Sequence, residues 1–479
     1  MFVPKLEQHA INFLPPHFDP DYVEHAVKPF MAGSIVTAEK PMLPLIDLEL
    51  SKEKAIPPHI FGMLYENWVP NMEEEGLSVF LQGYENRGPD NERKRIYYSA
   101  FTADLVKENY QPKFSSFAEN LFAEGNVGKP LMQTYYDRYF DLYWSLHLGV
   151  ADNDIPDEIR EIGKAFNTVI GFWFPTSDIV YESYMKVRKL RPFLRDWVDA
   201  RIEDIVQGRI NGHEKTIVYQ WIKNGEFKEN FRRKDIVFEC FHNFLAFSQW
   251  GNTLFNIVAR LSESDGDQAI REAFQRTMSD PDRRDGSSFS ALERFTMELF
   301  RVISPNGGSY SVSNARQSIS GQGYNGLLTV HPTSNNNLLH WSDPQVFNPD
   351  RYMDVPLTSE HADASAQSAG LHECPFAKKS RSLRDGRNGT IENSVFGAVY
   401  ATVNGVTTPV PDTPGYAPFG FGYRRCPGEL FTINFISTIL RKIHSTDVRF
   451  EKVSDPHPAK LPVGPITVID DCYFFHFDS

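Results

Sequence analysis

One eleven-residue run carries the strongest chemical signal in the 479-residue sequence: Phe419-Gly420-Phe421-Gly422-Tyr423-Arg424-Arg425-Cys426-Pro427-Gly428-Glu429. It fits the pattern F-G-x-G-x-R-x-C-x-G at every fixed position. A cysteine that ligates iron must be held as a thiolate and shielded, which backbone N–H groups and the positive end of a helix achieve. The glycines let the backbone turn tightly, and the apolar period from Glu429 to His444 predicts a helix whose N-terminus points at the sulfur. The ordinary alternative for a lone cysteine is a buried structural thiol.

This loop resembles the cysteine-ligand loop of cytochromes P450. The resemblance implies a heme-thiolate enzyme of mainly α fold with a smaller β region, and heme b (iron protoporphyrin IX) as cofactor. It also implies Cys426 as the iron ligand, Phe419 packed under the heme near the sulfur, and Arg424 paired with a heme propionate. Two further segments support it. Glu298-Leu299-Phe300-Arg301 is an E-x-x-R on a predicted helix, and Pro349-Asp350-Arg351-Tyr352 follows at a suitable distance. Alone, E-x-x-R is a routine ion pair on a solvated helix face. In this order, ahead of the cysteine loop, Glu298, Arg301 and Arg351 resemble the family's buried Glu-Arg-Arg network, whose role is structural. Lys94 or Arg95, in ERKRIYYSAF, and Arg316, in SNARQS, are further propionate candidates. The Trp or His that usually precedes the first of these is missing, and a solvated basic run reads equally well there. The resemblance covers most of the chain, strongly from Glu298 onward and weakly before it.

The elements that must position these groups are mostly helical. Apolar residues at three- and four-residue spacing predict helices over Ser115–Phe122, Asp157–Phe172, Tyr184–Gln207, Asp235–Leu261 and Ala269–Met278. The first 60 residues, rich in proline, read as a loop-rich entry with a few short strands. From Ser304 the segment crowded with Gly, Ser and Asn predicts a small sheet region. Residues 354–412 read as an exposed loop, an insertion in an otherwise single 1–479 domain, whose second half alternates like a hairpin. No internal repeat is evident.

The helix expected above the heme is Asp235–Leu261, and it departs from the family. A hydroxylating member carries an acid and alcohol pair there, in A/G-G-x-D/E-T, to deliver protons to bound oxygen. Counting back from Leu261 places Ser248 and Gln249 at that position. A glutamine amide holds a ligand or water but does not titrate, and a serine relays only with water. Thr253 falls a turn too late in this register, and His242, two turns earlier, reads as a packed helix residue. Phe241, Phe244, Phe247 and Trp250 are either core filling or one wall of an aromatic substrate pocket.

Three chemistries fit these departures. The leading expectation is oxidation of a small, largely apolar, aromatic substrate by radical coupling, without simple hydroxylation. A conventional O2-dependent monooxygenase comes next. The third is isomerisation or dehydration of a fatty-acid hydroperoxide, as in allene oxide synthases, where the peroxide bond arrives in the substrate. A non-catalytic heme carrier would need a second protein ligand, and no His or Met stands convincingly for one.

Bulk properties bound the rest. The net charge of -13 argues against a nucleic-acid partner, which calls for a concentrated basic face. Four scattered cysteines, Cys240, Cys374, Cys426 and Cys472, suit neither a disulfide scaffold nor a zinc site and point to a reducing compartment. Charge and proline interrupt every apolar run of the opening segment, so a soluble, cytoplasmic protein is expected. An electron donor such as a ferredoxin or flavodoxin would dock on Lys378, Lys379, Arg381, Arg384 and Arg387 with Arg425 and Lys442, a set that reads equally well as a solvated loop. Oligomeric state has no signature in the sequence.

Overall fold

The computed structural model describes residues 16–23, 36–37, 96–97, 99–171, 177–227, 231–264, 266–287, 289–303, 308–313, 325–330, 335–336, 343–353, 400–403, 406–409, 418–419, 428–453 and 473–477. Helices dominate, and ten carry the architecture. They are α1 (Gln111–Leu121), α2 (Leu131–Leu148), α3 (Asp157–Gly171), α4 (Asp178–Val206), α5 (Ile217–Gly225), α6 (Arg233–His242), α7 (Phe244–Leu261), α8 (Gln268–Met278), α9 (Ala291–Ile303) and α10 (Glu429–Ser445). Among the described residues no helix is long and apolar enough to cross a membrane.

Most boundaries follow the periodicity read from the sequence. Two departures have physical causes. The α2 sequence, LMQTYYDRYFDLYWSLHL, buries twelve of its eighteen residues, and its polar face is only a narrow stripe of Gln133, Asp137, Asp141 and Ser145. Its aromatic content also favours strand by propensity, and packing against neighbouring helices overrides that preference. The second departure is the long helix expected over Asp235–Leu261, which is broken at Asn243 into α6 and α7. There the Asn243 side chain is engaged on both sides: its Oδ1 accepts from the Tyr97 hydroxyl at 2.6 Å, and its Nδ2 donates to His147 Nε2 at 3.0 Å. His147 Nδ1 in turn donates to the Tyr143 carbonyl at 2.9 Å. A side chain bound laterally to two other elements fixes the bend more firmly than helix propensity opposes it.

The core is a bundle in which α7 lies against α2 and α10, with α1 packed between α2 and α10. Close approach is set by small residues. A Cβ on Gly251 of α7 would stand 2.8 Å from both Tyr135 Cε1 and the Tyr136 hydroxyl of α2, and one on Gly163 of α3 would collide with the Phe140 ring at 2.0 Å. Beside Gly251, Asn252 is 1 % exposed and neither polar atom of its amide has a hydrogen-bond partner. Leaving such a group unpaired costs about 1–3 kcal/mol. Asn252→Leu, close in shape and without that cost, should therefore raise stability by about 1 kcal/mol, read as a higher thermal midpoint; a drop would show that the amide is satisfied in solution.

The described β structure forms three small sheets. In a three-stranded sheet β1 (Val36–Thr37) pairs parallel with the central β3 (Asn325–Val330), Val36 opposite Leu327, while β2 (Gly308–Ser313) pairs antiparallel with it, Ser311 opposite Leu327. The sheet anticipated after Ser304 and the early strand are thus one unit. The anticipated hairpin is β4 (Tyr400–Val403) with β5 (Val406–Pro409); residues 354–399, 404–405 and 410–412, the rest of the expected insertion, lie outside the described residues. A second hairpin, β6 (Val448–Lys452) with β7 (Tyr473–Phe477), follows α10.

Candidate functional site

Helix α10 begins at Glu429 with Gly428 as N-cap, three residues after Cys426. The helix expected from the sequence is therefore present, and its first-turn N–H groups and positive dipole end follow Cys426 directly in the chain. At the other end of that run Phe419, half-buried, meets Phe300 of α9 edge to face at 5.1 Å. Because Phe300 lies between Glu298 and Arg301, the start of the cysteine loop is backed by the same helix that carries the charged network. Residues 420–427, including Arg424 and Cys426, lie outside the described residues, as do Lys94, Arg95 and Arg316.

Cys240 supplies a contrast. It is fully buried in α6, and burial, reinforced by neighbouring Glu239, raises its thiol well above the usual range. A thiol held protonated is a poor metal ligand. A cysteine in a glycine-bearing loop that ends at a helix N-terminus, as Cys426 stands in the sequence, is a donor whose chemistry would fit a heme iron.

The charged network is built as the sequence implied. Glu298 and Arg301 are both fully buried, and Arg301 grips the carboxylate with two bonds, Nε to Oε2 at 2.9 Å and Nη2 to Oε1 at 2.8 Å. Arg351 Nε reaches Glu298 Oε1 at 3.2 Å, its own side chain only 8 % exposed. Two members were not singled out from sequence: the Tyr352 hydroxyl donates to Oε2 at 2.9 Å, and the Asn348 backbone N–H donates to Oε1 at 2.9 Å. The remaining guanidinium hydrogens go to carbonyls, Arg301 to Asn335 and Arg351 to Asp343 and Val346. Such saturation is what makes a buried charge tolerable. Tyr352 stood in the quoted segment, but its role depends on the one-turn helix Pro349–Tyr352, which folds it back onto Glu298.

On α7 the candidates separate. Gln249 is partly exposed, and its carbonyl accepts from the Thr253 hydroxyl at 2.8 Å. Thr253 is fully buried with its hydroxyl bonded one turn back, a local satisfaction common in helices. Ser248 lies in the same helix, its side chain outside the described set. Of the two readings left open for the aromatic residues, their contacts describe core filling. Phe244 stacks on Tyr143 at 4.7 Å and meets Phe140 and Trp144; Phe247 meets Tyr143 at 4.8 Å and Trp250 at 4.3 Å. Trp250 stacks on Phe435 of α10 at 4.1 Å, and its indole N–H donates to Thr432 at 2.9 Å. Phe241 packs on Phe166. Among the described residues these rings thus meet side chains of α2, α3 and α10. His242 is packed as expected, 4 % exposed, its Nδ1 3.3 Å from an oxygen of the fully buried Glu239.

A scan against protein-family models finds none that matches, and a search of curated proteins finds no match either. Solved structures do match. The heme domain of cytochrome P450DA aligns over 93% of this chain and 87% of its own, with TM-score 0.55 and 14% identity. The retinoic-acid-bound cyanobacterial CYP120A1 aligns over 99% and 97%, with TM-score 0.58 and 14% identity. The chain therefore has the cytochrome P450 fold, mainly α with a smaller β region.

Proposed function

We propose that this protein is a heme-thiolate oxidoreductase in which Cys426 is the axial ligand of a heme b. The observation that carries the reading is the saturated Glu298–Arg301–Arg351 network on the helix that also backs Phe419. The match to F-G-x-G-x-R-x-C-x-G and a fold shared with solved P450 structures support the same reading. Arg424, Arg316 and Lys94 or Arg95 are the proposed partners of the heme propionates.

When bound, the heme supplies one-electron oxidation chemistry that amino-acid side chains lack. The residues of the chain do the rest. The α10 dipole and loop N–H groups keep the Cys426 sulfur anionic. Phe419 shields it. On α7 the Gln249 amide orients a polar group of the ligand by hydrogen bonds without exchanging protons.

The reading rests on the sequence: Ser248–Gln249 carries no acid where a hydroxylating member has its acid and alcohol pair, which favours oxidation without oxygen insertion over hydroxylation. The proposed reaction is radical coupling of a small apolar aromatic substrate, hydrogen being removed from an O–H or N–H group. Electrons for O2-dependent turnover would come from a ferredoxin- or flavodoxin-type donor.

Reduced protein treated with carbon monoxide should give the absorption maximum that names the family, and Cys426→Ala should abolish it. Retention of that band in Cys426→Ala would overturn the ligand assignment. Turnover under isotopically labelled dioxygen should yield coupled product free of the label; labelled, hydroxylated product would point to the monooxygenase instead.

A further inference from the structure

Two lysines are brought together at the C-terminal end of α2. Lys113 of α1, partly exposed, donates from Nζ to the Ser145 carbonyl at 2.5 Å, and the same carbonyl accepts from the Gly149 N–H at 3.1 Å where the helix ends. Lys215 closes the one-turn helix His213–Lys215 and precedes Thr216, whose methyl group would stand 3.1 Å from a Cβ on Gly149. Its charge bears on the Lys113 amine. Among the described residues neither lysine has a carboxylate partner, and the positions three and four away from Lys113 in the chain, Asn109, Tyr110, Ser116 and Phe117, carry no charge. His147, at the same end of α2, is held neutral by burial.

A chain with 62 acidic and 49 basic residues has carboxylates to spare, so two cations set near each other without one are a repulsion that packing does not require. Arginine at position 113 would also bind the Ser145 carbonyl and would keep its charge. Lysine is the basic side chain that can give up its proton, and this one is placed to do so. Burial, reinforced by the Lys215 charge, lowers the amine from 10.5 to about 8. At pH 7 about a tenth of such amines are unprotonated, against about one in three thousand for an ordinary lysine. An unprotonated amine is a nucleophile.

We propose that Lys113 is a binding site for carbon dioxide, held as a carbamate whose negative charge Lys215 pairs. The neutral Nζ attacks the carbon of CO2. An N–C bond forms, one C–O π pair moves onto oxygen, and an N–H proton leaves to water; nothing is oxidised or reduced. Charge selects this electrophile over others. A carbamate replaces the cation at position 113 by an anion and turns the repulsion with Lys215 into an attraction. An acyl group would remove the charge and leave Lys215 without a counter-ion, and a protonated imine would restore the repulsion. Size agrees: CO2 is a rod of three atoms, and the amine stands only partly open in the corner between α1, α2 and the His213–Lys215 turn. The Ser145 carbonyl, which holds the ammonium, can accept from the remaining carbamate N–H. Carbamate formation needs no heme and is independent of the heme-thiolate reading above.

The test equilibrates the purified full-length protein with carbon dioxide and bicarbonate at neutral pH. Triethyloxonium ion then ethylates any carbamate, which fixes it for digestion and peptide mass spectrometry. The trapped adduct should appear on Lys113 at about fivefold or more above its level on Lys107 and Lys164, two exposed lysines whose amines keep their protons at this pH. Lys215→Gln should lower the Lys113 adduct severalfold, because it removes the counter-ion and also strengthens the amine's hold on its proton. Trapping on Lys113 no greater than on Lys107 and Lys164 would overturn the site. So would a Lys113 adduct that Lys215→Gln leaves unchanged, since the anion would then owe nothing to its proposed partner.

Discussion

Glu298→Ala should lower the stability of the protein by about 3–5 kcal/mol, a large single-residue loss. The substitution leaves two guanidinium groups, Arg301 fully buried and Arg351 nearly so, facing a void where their shared carboxylate stood. It also orphans the Tyr352 hydroxyl and the Asn348 N–H. Against a total of about 5–15 kcal/mol for an ordinary domain, this is a large share. The measurement is the denaturant midpoint, paired with Asp137→Ala as a control. Asp137 bonds Lys164 at 3.0 Å with both side chains about half exposed, and such pairs contribute about 0–1 kcal/mol. Equal midpoint shifts in the two variants would mean that the Glu298 network is no stronger than a surface pair.

The second large effect is a loss of stability in mild acid, centred on His147. Burial holds its pKa down at about 3, from an ordinary 6.5. The hydrogen bonds explain why the ring resists a proton. Nδ1 already donates to the Tyr143 carbonyl, and Nε2 accepts from Asn243, whose other face accepts from Tyr97. A proton on Nε2 would face an N–H donor, and rotating the amide to relieve that would set its NH2 against the Tyr97 hydroxyl. The unfolded chain therefore binds a proton below pH 6.5 that the folded chain refuses until about pH 3. The contribution is complete above pH 6.5 and is lost as pH falls, at about 1.4 kcal/mol per pH unit. Between pH 6.5 and 5, before most carboxylates titrate, the loss should be about 2 kcal/mol. His147→Gln should flatten this slope in denaturant titrations at pH 7, 6 and 5; an equally steep slope in the variant would assign it to other groups.

What could be read from the sequence divides by the range of the interactions. Cys426 and its neighbours are one contiguous run whose spacing is itself the constraint, and the Glu298–Arg301 pair is one helical turn apart. Both are local facts. Helices with one polar face, such as α3 and α8, declare their period for the same reason. The residues that escaped notice act over distance: Tyr352 and the Asn348 N–H reach Glu298 across some 50 positions, and Asn243 joins Tyr97 to His147. In the sequence Asn243 is one polar residue in an unbroken apolar period, and nothing local marks it as a bend. The aromatic side of α7 was equally ambiguous, because a ring at helical spacing looks the same whether it meets a ligand or another helix. In the fold the described rings meet side chains of α2, α3 and α10, partners that no local spacing could name.

The parallel pairing of β1 with β3 has a consequence for how the chain is made. Val36 finds its hydrogen-bonding neighbour in Leu327, some 290 positions downstream. On a ribosome adding about 5–20 residues per second, the early strand waits tens of seconds for its partner to be synthesised. During that interval its backbone donors and acceptors are open to other chains. Cells producing this protein at high rate should accumulate it in aggregates that slower translation or lower temperature relieves.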